Sequence, residues 1–251
     1  MPSPGQFARK VTTTLTRAGR LGVRGGSRYL GLAVVDVLMR EEDSPPRPYL
    51  AATEQAADLT RFDVAGHNRE HGFAYVATPP SMLTAFIANL PNDLSEYAFV
   101  DYGSGQGRVL LLAREAGFRE IIGVEFAREL HEQALANVDR WAPNDGRIRC
   151  VHGDATEFVI PESPCVLYFN NPFSEPVMTQ VLARIEESIR SRPRKVFILY
   201  QQALPGLETD IADNLTLLDN SAFLEARPVT IPSLRIRARL RGYLLRVYES
   251  R

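Results

Sequence analysis

The middle of the chain alternates between short apolar runs and amphipathic segments. The apolar runs, typical of strands buried on both faces, cover the residues up to Val100 and then 121–125, 148–151, 166–169 and 196–200. Between them, apolar residues recur at helical spacing, as at Leu130, Ala134 and Val138 and at Val177, Val181, Ile185 and Ile189. Repeated strand–helix units of this length predict a mostly parallel sheet with right-handed crossovers.

The segments that flank this alternation differ from it. Residues 215–223 and 234–247 have strand-like patterns with no good helix between them, which predicts an antiparallel hairpin at one edge of the sheet. Before the first strand, residues 82–90 place apolar side chains on one face of a helix. Thr78 is the predicted N-cap of this helix, with Pro79 in its first turn.

The segment between the first strand and the next helix has glycine at alternate positions. Gly103, Gly105 and Gly107 follow the strand, and a helical run begins at Arg108. Glycines let the backbone turn sharply and approach a ligand, and a helix N-terminus presents free N–H groups to an anion. A dinucleotide fingerprint needs its third glycine one position later, where this chain has Arg108, so the spacing argues against NAD.

Carboxylates end the first strands of the predicted sheet. Asp101 precedes the loop and could accept a hydrogen bond from a cationic amine, while the loop amides and helix start could receive a carboxylate, so an amino acid would fit. Glu125 ends the second strand, where an acidic residue can accept from both hydroxyls of a ribose. Asp154, after the third strand, could accept from an adenine amino group, although Gly-Asp turns are also common for local reasons.

Asn170 and Asn171, followed by Pro172 and Phe173, end the fourth strand. Polar amides at the carboxyl end of a central strand lie where open α/β sheets bind ligands. A strand-ending turn is the competing interpretation. The loop from Tyr75 to Thr78 could reach the same site.

These motifs, in this order, resemble the class I S-adenosylmethionine-dependent methyltransferases. The Asp-x-Gly-x-Gly-x-Gly pattern is similar to that family's first motif, which holds the methionine end of the cofactor. The resemblance implies a Rossmann-like, mostly parallel seven-stranded sheet with helices on both faces and a C-terminal antiparallel hairpin. It also implies S-adenosylmethionine as cofactor, S-adenosylhomocysteine as product and no metal. The cofactor-binding residues that it implies are Asp101, Gly103, Ser104, Gly105, Gly107, Glu125, Phe126, Asp154, Ala155 and Asn170.

Within that superfamily, the motifs look most like the branch of the non-SET histone-lysine methyltransferases and their uncharacterised bacterial relatives. In that branch an Asn-Asn pair followed by an aromatic residue lines the acceptor channel, which implies Asn170 and Asn171 as catalytic residues. The substrate-side residues are then Tyr75, Thr78, Pro172 and Phe173. Pro172 is a departure, since the histone enzymes have a longer spacing to their aromatic residue. Asn171 to Phe173 also resembles the Asn-Pro-Pro-Tyr motif of enzymes that methylate adenine or glutamine nitrogens, one proline short.

The composition allows one sizeable α/β core with an appendage, since 45% of the 251 residues are hydrophobic. Lys and Arg number 29 against 30 Asp and Glu, which does not indicate a broad polyanion-binding surface. Cys150 and Cys165 are too few for a disulfide scaffold or a four-cysteine zinc site, so a reduced, cytoplasmic setting is expected. The longest apolar run, 29–39, is about half of what a membrane-spanning helix requires.

Residues 1–78 are predicted to be a basic and helical extension with a substrate-side loop, and residues 79–251 the methyltransferase domain. The first 28 residues carry six basic and no acidic side chains. A targeting peptide or a nucleic-acid arm could have this composition, but a poorly ordered or loosely docked start is favoured. Residues 29–40 could form a short helix before a linker at 41–46.

Residues 67–71 match the His-x-x-Glu-His pattern of some zinc peptidases. That chemistry needs both histidines on one face of a sustained helix, whereas Gly66 and Gly72 bracket this segment and no third ligand is evident. A metal site is therefore not expected. Whether His67, Glu70 or His71 touches substrate stays open.

Four arginines alternate with apolar residues in the last predicted strand: Arg235, Arg237, Arg239 and Arg241. A basic face can follow phosphates, but charged alternation also keeps an outer strand soluble, and this second interpretation is favoured. The sequence thus predicts methyl transfer to a nitrogen or oxygen of an unidentified protein side chain or small molecule, with no membrane partner. The alternatives are a nucleic-acid methyltransferase and a non-catalytic nucleoside-binding module.

Overall fold

The structure, a computed structural model, describes residues 47–53, 77–170, 173–203, 212–231 and 243–251. The helices of these ranges are α1 (Pro48–Ala52), α2 (Pro80–Ile87), α3 (Arg108–Glu115), α4 (Arg128–Trp141), α5 (Glu175–Ser191) and α6 (Ala212–Asp219). The strands are β1 (Ala98–Tyr102), β2 (Glu120–Glu125), β3 (Ile148–His152), β4 (Cys165–Asn170), β5 (Val196–Ala203), β6 (Leu224–Arg227) and β7 (Tyr243–Ser250). None of these helices combines the length and the apolar character needed to cross a membrane.

The seven strands form one sheet in the order β3-β2-β1-β4-β5-β7-β6. Strands β1 to β5 pair in parallel, and β7 runs antiparallel to both β5 and β6. The predicted mostly parallel seven-stranded sheet with a C-terminal antiparallel pair is therefore confirmed. The chain places β2 and β3 on one side of β1 and β4 on the other. In open α/β sheets, ligands bind at the carboxyl ends of the strands where the order reverses in this way.

Two hydrophobic cores lie on opposite faces of the sheet, because successive side chains of a strand point to opposite faces. Val100 and Tyr102 of β1 pack in the core that α5 and α6 cover. Phe99 packs in the other core, which α2 and α3 cover and which Tyr49 of α1 joins. The helices on both faces hold the sheet rigidly beneath its carboxyl edge.

The predicted strand at 215–223 is wrong. Residues 212–219 form helix α6, and the strand that follows starts at Leu224. Leu215 and Leu218, three positions apart, both pack against the same core. A strand would send them to opposite faces, whereas a helix places them on one.

The predicted N-cap at Thr78 is also wrong. Helix α2 begins at Pro80, and its N-cap is Pro79, whose backbone is extended. Two consecutive prolines move the helix start one residue on, since proline suits the first helical position. The Thr78 hydroxyl instead binds a residue of β4.

Several predictions fall outside the described residues. These are the helix at 29–40, the segment from His67 to His71, the site residues Tyr75, Asn171 and Pro172, and the arginines at 235–241. The division of the chain at residue 78 stays a prediction.

Candidate active site

The glycine loop joins β1 to α3 at the point where the strand order reverses. Gly103, Gly105 and Gly107 have φ angles of 79°, 53° and 80°, a left-handed backbone that only glycine adopts readily. The amides of Gly103 and Ser104 both donate to the Val124 carbonyl, at 2.9 and 3.1 Å, which ties the loop to β2. The predicted contact with a ligand carboxylate therefore falls to the start of α3, where the first amides have no intrahelical acceptor.

Two glycines allow the loop to pack closely on its neighbours. A Cβ atom at Gly123 would lie 2.7 Å from both Ser104 Oγ and Leu110 Cδ1. One at Gly107 would lie 3.2 Å from Ala134 Cβ on α4. Gly107 belongs to the predicted loop, but sequence reasoning missed Gly123. Its signal was a lone glycine inside a buried strand, which often marks a close approach.

Glu125, at the carboxyl end of β2, is buried and turned towards the loop. Its Oε2 accepts from the Gly105 amide at 2.8 Å and its Oε1 from the Ala127 amide at 2.9 Å. Burial raises the pKa of Glu125 from 4.5 to about 7, and the backbone donors oppose that rise. A carboxylate has room for about four hydrogen bonds, so two ribose hydroxyls could still be accepted.

Asp101 lies on β1, one residue before the strand ends, and is 2% exposed. Within the described residues its carboxyl group has no hydrogen-bond donor or cationic partner. Burial, and secondarily the negative charge of Glu125, raises the pKa of Asp101 well above its usual range. A buried carboxyl group without a donor is costly, so this position is suited to a cationic ligand.

The third strand ends beside the second. The Gly153 amide donates to the Glu125 carbonyl at 3.0 Å, and His152 Nε2 lies 3.1 Å from the Phe126 carbonyl. These contacts bring Phe126 to the same edge as Asp154, which is buried and accepts from the Thr156 amide and hydroxyl. The neighbouring Ala155 is buried as well. The predicted adenine-side residues therefore meet at one edge of the sheet.

Asn170 ends β4, directly beyond the pairing of Tyr102 with Phe169, so it lies next to the glycine loop. Its Nδ2 donates to Thr78 Oγ1 at 2.8 Å. The structure thus brings together two predicted site residues that are 92 positions apart in the chain.

Phe173 is partly buried and packs against the core beneath α5 and α6. Its ring lies edge-on to Phe169, with 6.5 Å between the ring centroids. The Phe173 carbonyl accepts from Asn214 Nδ2 at 2.9 Å, and the same nitrogen donates to the Tyr200 hydroxyl at 3.0 Å. Thr78 therefore holds Asn170 on one face of the sheet, and Asn214 holds Phe173 on the other.

Arg108 is a site residue whose partners sequence reasoning missed. It follows the last glycine of the loop, is 7% exposed, and donates through Nε to Thr53 Oγ1 at 2.8 Å. Its guanidinium also donates to the carbonyls of Leu50 and Thr78. Arg108 therefore joins three separate segments at the start of α3. Its only sequence signal was a charged residue at the buried start of a helix.

No three His, Cys, Asp or Glu side chains of the described ranges are grouped closely enough to hold a metal ion. The chemical groups at the carboxyl edge are instead the carboxyl groups of Asp101, Glu125 and Asp154, with the amide of Asn170.

Comparisons with known proteins identify the fold of the chain through solved structures and not through its sequence. No protein-family model and no curated protein matches the chain. Among solved structures, cofactor-bound Rv0187 from MTB is similar with a TM-score of 0.55 and 18% identity over 86% of this chain and 95% of that one. A candidate O-methyltransferase from Klebsiella pneumoniae gives 0.52 and 15% over 87% and 96%. The glycopeptide N-methyltransferase MtfA, solved with S-adenosylhomocysteine, gives 0.50 and 13% over 69% and 91%. The chain therefore has the Rossmann-like fold of S-adenosylmethionine-dependent methyltransferases.

Proposed function

We propose that this protein is an S-adenosylmethionine-dependent methyltransferase that acts on a nitrogen or oxygen of a protein side chain or small molecule. The observation that carries the proposal is Asp101, a buried carboxyl group beside Glu125 with no donor among the described residues. S-adenosylmethionine carries an ammonium group that could donate to Asp101 and a ribose diol that could donate to Glu125. The hydrogen-bonding groups of the cofactor therefore match those of the site, in addition to the match in fold.

Each residue at the edge has a role in holding the cofactor. Asp101 would accept from the ammonium group, Glu125 from the ribose hydroxyls, and Asp154 from the adenine amino group. When bound, S-adenosylmethionine supplies a sulfonium methyl group: the acceptor's lone pair forms the new bond to carbon, the carbon–sulfur bond breaks towards sulfur, and the acceptor's proton passes to water. Asn170 and Asn171 orient the acceptor, so alignment is the main catalytic contribution.

The acceptor class follows from the end of β4. The Asn-Asn pair and Phe173 support a place near the non-SET histone-lysine branch and an amine as the reacting group. An amine such as lysine, with a pKa of about 10.4, must be bound in its neutral form, which burial beside Phe173 would favour. We place this chemistry in the cytoplasm, since the cysteines are too few for a disulfide scaffold.

Calorimetry with S-adenosylhomocysteine tests cofactor binding. Because an ionised Glu125 accepts hydroxyl protons best, binding at about pH 6 should release a proton, seen as a measured heat that depends on the buffer's ionisation enthalpy. Glu125→Gln should bind more weakly and release fewer protons, since only Asp101 would then ionise on binding. Absence of heat with the wild-type protein would exclude the proposal.

Incubation with radiolabelled S-adenosylmethionine and cell lysate then tests catalysis. We expect label in the protein or small-molecule fraction. Label in RNA or DNA would favour a nucleic-acid methyltransferase, and binding without label in any fraction would leave a nucleoside-binding module.

A further inference from the structure

A row of buried polar side chains ends at Asn170. Thr78, Tyr168 and Gln201 are all buried, between 0% and 4% exposed. Asn170 Nδ2 donates to Thr78 Oγ1 at 2.8 Å. The Thr78 oxygen lies 3.3 Å from the Tyr168 hydroxyl, which donates to Gln201 Oε1 at 3.4 Å. The row thus links the end of β4 to β5 and to the segment before α2.

The row has a direction, because each hydroxyl has a single proton to donate. Tyr168 gives its proton to Gln201, whose Oε1 can only accept. The Thr78 proton is then given to Tyr168, and the Thr78 oxygen is left to accept from Asn170. Burial raises the pKa of Tyr168, which keeps its hydroxyl protonated.

The two middle members of the row, Thr78 and Tyr168, are also held by other contacts. Arg108 Nη1 donates to the Thr78 carbonyl at 3.4 Å, so the segment that carries Thr78 is attached to the start of α3. The Tyr168 ring packs edge-on to Phe86, at 5.8 Å between centroids, and stacks on Phe99 at 6.1 Å. The hydroxyl groups therefore have little freedom to turn away from Asn170.

We propose that Thr78, Tyr168 and Gln201 are positioning residues that hold the Asn170 amide in one orientation, with Nδ2 towards Thr78, for methyl transfer. The inference deepens the proposed function and rests on it.

Nuclear magnetic resonance of the side-chain amides tests the row without a substrate. The Asn170 signal is identified by its disappearance in Asn170→Asp. It should shift in Thr78→Val and Tyr168→Phe and stay close to its wild-type position in Thr78→Ser, which keeps the hydroxyl. Tyr248→Phe is the matched control, because that hydroxyl donates to Asp219 on the far side of the sheet. An Asn170 signal that does not move in Thr78→Val would overturn the proposal.

Label transfer into lysate gives the second test. Thr78→Val should lose about tenfold in transfer, the worth of one hydrogen bond, while its affinity for S-adenosylhomocysteine stays within about twofold. Thr78→Ser should retain transfer. Equal losses in the two variants, or a loss of nucleoside affinity in Thr78→Val, would mean that Thr78 only supports the fold.

A wild-type protein that binds no nucleoside would refute the proposed function. The side-chain amide spectra would still test the hydrogen-bonded row, because they need no substrate.

Discussion

The backbone amide of Gly105 donates to Oε2 of Glu125 at 2.8 Å, so the acidic end of β2 holds the glycine loop directly. The loop and the predicted ribose acceptor are therefore one unit. A change in the charge or position of Glu125 acts on the loop as well as on a ligand. The protonation of Glu125 consequently affects both stability and binding.

Glu125 should make the unliganded protein less stable as the pH rises from about 4.5 to about 7. Its pKa is raised from 4.5 to about 7 in the fold, so the folded state keeps a proton that the unfolded chain has lost. Ionisation of Glu125 should lower the free energy of unfolding by about 3 kcal/mol over this range, and this contribution then levels off. Urea unfolding of the wild type and of Glu125→Gln at several pH values measures it, and the variant should show a smaller fall.

The test is how steeply the free energy of unfolding changes with pH, and not its value at any one pH. A glutamine amide nitrogen cannot accept from the Gly105 or Ala127 amide, so Glu125→Gln also loses a hydrogen bond, and this loss does not depend on pH. Glu249→Gln is the control, because the pKa of Glu249 is lowered by Lys195 and that group is ionised in both states above about pH 5. Parallel curves for the wild type and Glu125→Gln would contradict the prediction.

Gly123→Ala should destabilise the protein and weaken binding of S-adenosylhomocysteine. The added Cβ atom would lie 2.7 Å from Ser104 Oγ and from Leu110 Cδ1, so the loop has to move. We expect a loss of about 1–3 kcal/mol in the free energy of unfolding. Gly146→Ala, where no atom lies within 4 Å of the new Cβ, is the control. Equal stabilities and affinities for the two variants would show that the loop does not depend on Gly123.

How much of this fold the sequence predicts depends on how local each signal is. The apolar runs at 121–125 and 166–169 became β2 and β4, since a continuous apolar run indicates a strand that is buried on both faces. Strand β2 begins one residue earlier than its run, and β4 is one residue longer at each end. Helix α6 was mistaken for a strand. The pattern around Leu215 and Leu218 is short, and the core beneath β5 decides which element forms there.

The site residues likewise fall into those with a local sequence signal and those without one. Asp101 and Glu125 could be predicted because each stands at a strand end, at a fixed distance from the glycines. Thr78 was misassigned as a helix cap because its partner, Asn170, is 92 positions away. Arg108 donates to the carbonyls of Thr78 and Leu50, which are 30 and 58 positions away in the chain. No local sequence pattern indicates such pairs.

Gly107→Ala and Gly117→Ala should separate backbone strain from loop packing. Both glycines have similar positive φ angles, 80° and 87°, so each substitution should cost about 1–2 kcal/mol in backbone strain. Only at Gly107 does the new Cβ also meet Ala134, at 3.2 Å. We expect Gly107→Ala to be the less stable variant by thermal unfolding and the only one with reduced affinity for S-adenosylhomocysteine. A similar loss of affinity in Gly117→Ala would point to a general loosening of the fold.

Asp101→Asn should stabilise the unliganded protein and weaken nucleoside binding, two effects of opposite sign. At pH 8 the unfolded chain carries an ionised Asp101, whereas burial and Glu125 raise its pKa well above the usual range in the fold, so ionisation opposes folding. The neutral amide removes this penalty, and the gain over the wild type should grow as the pH rises towards the raised pKa. The amide also removes the charged acceptor for an ammonium group, which should weaken S-adenosylhomocysteine binding by about 1.5–3 kcal/mol. Urea unfolding and calorimetry on the same samples measure both effects, with the exposed Asp139→Asn as control. A variant that is less stable than the wild type yet binds equally well would mean that Asp101 serves the fold and not the ligand.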